Sequence, residues 1–356
     1  MKNIILFLII VIFTLYGCDD VVSKKLCFDN VDYVSEFPKQ VELEKINPID
    51  LDLMGCVDFF GNDSILVFKK MNMNYHWEVY SFPNLNKKMD LLKKGNGPNE
   101  FTNMPSNEYF FQNGNLCQVW SSNERKVHYI DFSKSLKTGQ LQIDTIYKLP
   151  IKGAALNCVS ISDSSYFVVL NQFDSYRRCI LNGNEFRDME HLKSLNSVKI
   201  SKDLNSMAAV RHYDKSQNKV VEAYLHLNQI NLYSLDNNSF AKTICVGEQL
   251  TDLGRIDDKS KYKWVKYYGG VFTSHDYFAA LYFKASRKDF FEGRIEKTDI
   301  QVYDWSGKPL LNITIPYQVE SFFIHMDKDL YVLSTLGKEE YLYKYDLGDL
   351  LLNLKE

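Results

Sequence analysis

Seven histidines, at positions 76, 128, 191, 212, 226, 275 and 325, are the side chains best suited to proton chemistry near neutral pH. No two stand at His-x-x-x-His spacing and His-Glu-x-x-His is absent, so no helix-borne zinc hydrolase site is written locally. Gly-x-Ser-x-Gly is missing as well. Asp257-Asp258, Asp289 and Asp327-Lys328-Asp329 lack the twelve-residue spacing of a calcium loop and read as solvated turns. The expectation is therefore no metal and no cofactor. What does stand out is a basic and aromatic set near the ends of apolar runs: Arg177-Arg178, Arg211-His212, Lys266-Tyr267 and His325. Brought to one rim, such residues could hold a glycan, a peptide carboxylate or a loop of another protein. The more ordinary reading is a solvated rim on which the same arginines pair with neighbouring acids.

The elements that would carry these residues are short strands. In the stretch from Leu53 to Phe101, Gly55 to Phe60 is apolar, Gly61-Asn62-Asp63-Ser64 is a turn cluster, and Ile65 to Phe68 is apolar again. Trp77 to Phe82 alternates, placing Trp77 and Val79 on one face and Glu78, Tyr80 and Phe82 on the other. Lys88 to Leu92 makes a fourth, more polar run. Two apolar faces require partners on both sides, which one four-stranded unit cannot supply for itself. Looser copies begin near residues 107, 156, 206, 267 and 320, a period of about 50 residues that suits four-stranded blades. The reading is all-β: a six-bladed β-propeller over residues 40–356, without helices between Leu53 and Leu352. The fourth strand of the third unit is poorly marked, because Glu185 to Lys202 is polar. The alternating segment Gln40 to Ile46 is expected to close the ring by completing the last blade, with Leu350 to Leu354 as the other candidate for that strand.

After the first unit comes Gly95-Asn96-Gly97-Pro98-Asn99-Glu100-Phe101. Physically, Gly95 and Gly97 would permit positive φ, Pro98 would fix the return, Glu100 would accept hydrogen bonds from loop amides, and Phe101 would plug the gap between blades. The loop lacks the Lys-Ser/Thr and following helix of a phosphate loop. It resembles the Gly-x-Gly-Pro-x-Glu-Phe motif of TolB-like and NHL-like six-bladed propellers, which are common among lipoproteins of Bacteroides-like bacteria. Later units depart from it, as at Pro316-Tyr317-Gln318 and Gly247-Glu248-Gln249. The resemblance implies a fold and an address more than an activity.

The chain begins with Lys2 and an apolar run from Ile4 to Phe13, too short to cross a membrane comfortably. Leu15-Tyr16-Gly17-Cys18 resembles the lipobox of bacterial lipoproteins. That resemblance implies a signal peptide over 1–17, cleavage before Cys18 and acylation of its sulfur, with residues 18–39 as a tether. Asp19-Asp20 partly matches a signal for export to the cell surface. The implied location is the bacterial outer membrane, facing the periplasm or the outside.

Lysine and arginine number 42 against 45 acids, a net charge of -3, and no basic stripe stands out, so nucleic acid is not an expected partner. Apart from Cys18, the cysteines at 27, 56, 117, 158, 179 and 245 are irregularly spaced in strand-like settings. They read as small buried apolar residues in preference to a disulfide framework. The functional expectation is a membrane-anchored, non-catalytic binding module for an envelope protein or for a glycan or peptide ligand. The alternative is a hydrolase or lyase acting on carbohydrate or peptide at the channel mouth.

Overall fold

A computed structural model of the chain describes residues 25–71, 73–105, 111–112, 116–200, 203–236, 240–257, 260–336 and 339–355. The signal segment, Cys18 and Asp19-Asp20 lie outside these residues, as does most of the strand expected over Glu108 to Phe111. Six antiparallel sheets follow one another along the chain. Blade one is Cys56–Gly61, Ile65–Lys70, Tyr75–Ser81 and Lys87–Lys93. Blade two is Phe111–Gln112, Leu116–Ser121, Lys126–Asp131 and Ile143–Lys148. Blade three is Ala155–Ser162, Ser165–Asn171, Tyr176–Asn182 and Glu185–Asp188. Blade four is Ala209–Asp214, Lys219–Tyr224, Gln229–Ser234 and Ala241–Val246. Blade five is Val265–Thr273, Tyr277–Ser286, Thr298–Asp304 and Pro309–Ile315, and blade six is Ser321–His325, Asp329–Leu336 and Glu339–Asp346.

Strand periodicity explains why the sheets stand in a ring. Successive side chains point to opposite faces, so each strand feeds two seams. In blade one, Val67 joins the core shared with blade two, while Leu66 and Phe68 join the core shared with blade six. In blade four, Val220 and Tyr224 pack toward blade three, and Val221 and Ala223 toward blade five. In blade five, Phe278 and Ala280 face blade four, while Ala279 and Leu281 face blade six. The six apolar clusters correspond one to one with the six seams. Each fully buried Val, Leu, Ile or Phe contributes about 1.5–3 kcal/mol, so no blade is independent of its neighbours. Trp77 and Val79 lie on the blade-two side and Tyr80 and Phe82 on the blade-six side, as the alternation requires.

The N-terminal segment closes the ring as a belt over three blades. Val31–Val34 adds in parallel to the outer strand of blade four, and Gln40–Glu42 adds in parallel to Pro309–Ile315 of blade five. Ile49 then makes an antiparallel bridge to Leu342 of blade six. The alternating segment thus pairs with the penultimate blade, and the last blade receives only the bridge. The described part of the expected tether, from Leu26 to residue 39, is accordingly not free: Leu26, Phe28 and Val34 are buried in the seams. Leu350 to Leu354 is not a strand either, because a 3-10 turn spans Leu352–Lys355.

Short helices do interrupt the chain between Leu53 and Leu352, all of them in connections. Phe132–Thr138 is the longest, capped by the Asp131 carboxylate on the Lys134 N–H and ended by Gly139 in the left-handed conformation. The polar stretch after Glu185 is a four-residue strand followed by the turns Glu190–Leu192 and Lys193–Asn196. Cys56, Cys117, Cys158, Cys179 and Cys245 are buried free thiols and Cys27 is half-buried.

Candidate functional site

The inner strands of blades one, four, five and six surround an axial cavity of about 340 Å³. Its walls are Val57, Phe59 and Phe60 of blade one, Val210 of blade four, Val271 and Phe272 of blade five, and Phe322 and Phe323 of blade six. Polar groups enter the cavity at Asp58, His212, Thr273, Glu320 and Ser321. The room comes partly from Gly269 and Gly270. A Cβ on Gly269 would stand 2.5 Å from the Phe283 ring, so glycine there lets that ring pack under the strand. The ladder to the second strand is also interrupted between Tyr268 and Val271, which leaves the main chain at the two glycines without a regular cross-strand partner.

Each carboxylate of the cavity is already engaged. Asp58 forms an ion pair with the buried Lys69 ammonium and accepts from Ser321 Oγ at 2.5 Å and from the Phe59 N–H at 2.9 Å. Glu320 accepts from Gln318 Nε2 and from the Thr335 N–H, each at 2.8 Å. Burial pushes the Glu320 carboxyl up to about 7 against those hydrogen bonds and the nearby Lys266 charge. Lys266 lies across the seam with its ammonium over the Phe290 and Phe283 rings, 3.4 and 4.9 Å from their centroids. Burial pushes this amine down to about 8, opposed by Glu320. His212 Nδ1 is 3.0 Å from Thr273 Oγ1. Among the described residues no cluster of three His, Cys, Asp or Glu side chains could hold a metal ion.

The residues singled out for a rim go to four different places. Arg177 lies on the third strand of blade three, where Nε and Nη2 reach the Asp188 carboxylate of the adjacent strand at 2.7 and 2.9 Å. Arg178 points the opposite way and is fully buried between blades three and four, with Nε and Nη2 on the Glu222 carboxylate at 2.8 and 2.6 Å. Arg211 approaches Glu222 Oε1 from blade four, its Nη2 at 2.6 Å, and Tyr233 donates to Oε2 at 3.2 Å. Burial alone would raise the Glu222 carboxyl, but the two guanidinium charges outweigh it and hold it at about 2. Arg178 and Arg211 therefore serve an internal ion triad and present no charge to a rim. His212 lines the axial cavity, Lys266 lies in the seam with its ammonium on the Phe290 and Phe283 rings, and Tyr267 beside it is half-buried with its N–H on the Leu225 carbonyl. His325 closes the far end of the blade-six inner strand, packed on Phe82 with Nε2 3.6 Å from Asp63. Asp58, Glu222 and Glu320 went unmarked in the sequence, although an acid inside Val220-Val221-Glu222-Ala223-Tyr224 is itself a signal of a buried pair.

In the loop after blade one, Glu100 accepts from the Gly97 N–H at 2.9 Å and from Lys93 Nζ at 2.8 Å. The glycines answer to this carboxylate and not to positive φ, since neither has it. A Cβ would stand 2.0 Å from Glu100 Oε2 at Gly95 and 3.0 Å from it at Gly97. The left-handed residue is instead Asn99, just after Pro98. Phe101 is buried in the seam between blades one and two.

Residues 57–327 match the family described as the TolB-like 6-blade propeller-like family. The chain belongs to that family. Among solved structures, this TolB-like propeller is similar to a member of the DUF4221 family from Bacteroides vulgatus, at 9% identity and TM-score 0.48, covering 82% of this chain and 96% of that one. It is also similar to a Bacteroides fragilis protein described as exported, at 12% identity and TM-score 0.47, covering 90% of this chain and 99% of that one. No curated protein matches the TolB-like chain.

Proposed function

We propose that this TolB-like propeller is an exported lipoprotein, anchored through Cys18, that binds a peptide segment in its axial channel without catalysis. The peptide is free or belongs to another envelope protein. The observation that carries this reading is the channel itself: about 340 Å³ of space with phenylalanine and valine walls and both carboxylates held by their own partners. Apolar walls accept side chains, and the main chain at Gly269 and Gly270 offers peptide groups for hydrogen bonding. A glycan would call for open aromatic faces and free amide or carboxylate pairs, whereas Phe59, Phe322 and Phe323 are buried.

One observation favours the enzymatic alternative. A Glu320 carboxyl near 7 beside a Lys266 amine near 8 has the proton affinities of a general acid and base. Both Glu320 oxygens accept hydrogen bonds from the protein, however, and Asp58 is neutralised by Lys69, so binding is the better account. Affinity capture from native envelopes, with mass spectrometry of bound proteins and small molecules, is the test. Wild type should recover a ligand that Val57→Trp and Gly270→Leu, which fill the channel, do not. Equal recovery by the filled variants would remove the channel as the site, and turnover of a captured peptide or glycan abolished by Glu320→Gln would install the enzyme reading.

A further inference from the structure

Strands alternate in direction within each blade, so the loop from second to third strand and the connection into the next blade open on the same face of the disc. The three most exposed large apolar side chains among the described residues all stand on that face: Phe173 at 101%, Tyr262 at 75% and Phe291 at 68%. Phe173 is in the loop between the second and third strands of blade three, and Phe291 ends the helix Arg287–Phe291 in the corresponding loop of blade five. Tyr262 is in the turn Lys261–Lys263 that leads into blade five. These segments brace one another. The Ile200 N–H donates to the Asp174 carbonyl at 2.9 Å, Lys261 pairs with Asp203 at 2.5 Å, and the Arg287 N–H donates to the Trp264 carbonyl at 2.8 Å. Three bulky aromatic or phenolic tips held on ordered loops are costly in water and suited to a lipid headgroup region.

We infer that this face lies against the membrane, with Phe173, Tyr262 and Phe291 entering the headgroup layer. The inference rests on the lipoprotein reading for the occupant and on the exposed tips for the surface. Leu26 belongs to the buried cluster that includes Leu253, Ile256 and Trp264 of the connection carrying Tyr262, and Ile200, whose N–H holds the loop carrying Phe173; its carbonyl accepts from Gln229 and Asn231, at the start of the third strand of blade four. The chain therefore enters the propeller on this side. Six residues lie between Cys18 and Lys25, and the seven steps of chain reach at most about 25 Å when extended. An acyl group on Cys18 would thus bring the bilayer to the face that carries the aromatic tips. The opposite mouth of the channel, near His212 and Thr273, would remain open to ligand.

The chain from Asp19 onward, which keeps every described strand and lacks the acyl group, is mixed with vesicles of phosphatidylethanolamine and phosphatidylglycerol. It carries a Phe173→Trp probe or, on the opposite face, a Met326→Trp probe. The expected result is a blue-shifted emission quenched by brominated acyl chains for the first probe alone. The triple variant Phe173→Ser, Tyr262→Ser, Phe291→Ser should lower vesicle partitioning at least about tenfold with thermal unfolding unchanged. Equal quenching of both probes, or unchanged partitioning of the triple variant, would overturn the inference. So would self-association that the triple variant abolishes, since the face would then be an interface between copies. Mass spectrometry of the cellular N-terminus separately tests acylation: an unmodified Cys18 would end the lipoprotein reading, whereas the quenching result speaks to the face alone.

Discussion

Two seams of this propeller each carry basic and acidic side chains into a poorly hydrated place, and they do so in opposite ways. Between blades three and four, Arg178, Glu222 and Arg211 meet in direct contact at 2.6–2.9 Å, with Tyr233 on the remaining lone pair. Between blades five and six, Lys266 and Glu320 face each other beside the channel. Lys266 is seated on phenylalanine rings and Glu320 on amide donors. In the first seam direct pairing fixes all charges, and the carboxyl is held at about 2. In the second, burial is only partly compensated, and acid and amine are drawn toward each other near neutrality at about 7 and about 8. Direct contact makes a structural clasp, whereas separation leaves a pair whose charge state a ligand or a change of pH can alter.

The sharpest break of this comparison is Glu222→Gln. It leaves two buried guanidinium groups facing each other without a counter-charge and should cost about 3–5 kcal/mol, measured by denaturant unfolding. Arg211→Met should cost clearly less, because it leaves a one-to-one Arg178–Glu222 pair; equal losses from the two would deny that charge balance governs the seam. The pH dependence has a definite sign. Glu222 is depressed in the folded state, so its contribution is complete above about pH 4.5 and is lost as pH falls toward about 2.

Glu320 carries the opposite sign. Its carboxyl is raised in the folded state, so the associated stability is present below about pH 4.5 and disappears as pH rises through about 7. The difference amounts to about 3 kcal/mol. Glu320→Gln should therefore match wild type near pH 4 and exceed it by up to that amount near pH 8. Lys266 and Arg287 are the charges bearing on this seam, and without Glu320 the Lys266 amine should fall further below about 8. Parallel stability curves for wild type and variant from pH 4 to 8 would show that Glu320 is not raised. A smaller loss, about 1–3 kcal/mol, is expected for Gly269→Ala, which drives a methyl group into the Phe283 ring under Lys266.

The two seams were unequally legible in the sequence. The blades could be read because alternation in runs such as Val220 to Tyr224 states which side chains face which neighbour. The ring closure could be read as a task for the N-terminus, but its register over blades four to six could not, since the alternation of Gln40 to Ile46 names no partner strand and Val31–Val34 and Gln40–Glu42 are only four and three residues long. The helix Phe132–Thr138 was announced by Asp131 and Gly139, yet lay hidden between two strand-like runs. Arg178 and Arg211 were visible as arginines, but nothing local showed that both turn inward onto one carboxylate 44 and 11 residues away. The raised Glu320 was illegible for a related reason: Lys266, whose charge bears on it, and the cavity wall from Gly269 to Thr273 belong to the first strand of blade five, with three strands intervening along the chain.

Arg177 provides the internal control for the whole contrast. It stands next to Arg178 on one strand, and period-2 geometry sends the two guanidinium groups to opposite faces. Arg177 also meets a carboxylate with two hydrogen bonds, but Asp188 is 57% exposed and the pair is screened by solvent. The expected cost of Asp188→Asn is therefore below about 1 kcal/mol, and it should vanish in roughly 1 M salt. The loss caused by Glu222→Gln should persist in the same salt, because ions do not reach the buried triad. If the two substitutions respond alike to salt, the distinction between a buried clasp and a surface pair fails, since adjacent arginines with similar bidentate geometry would then differ in nothing but position.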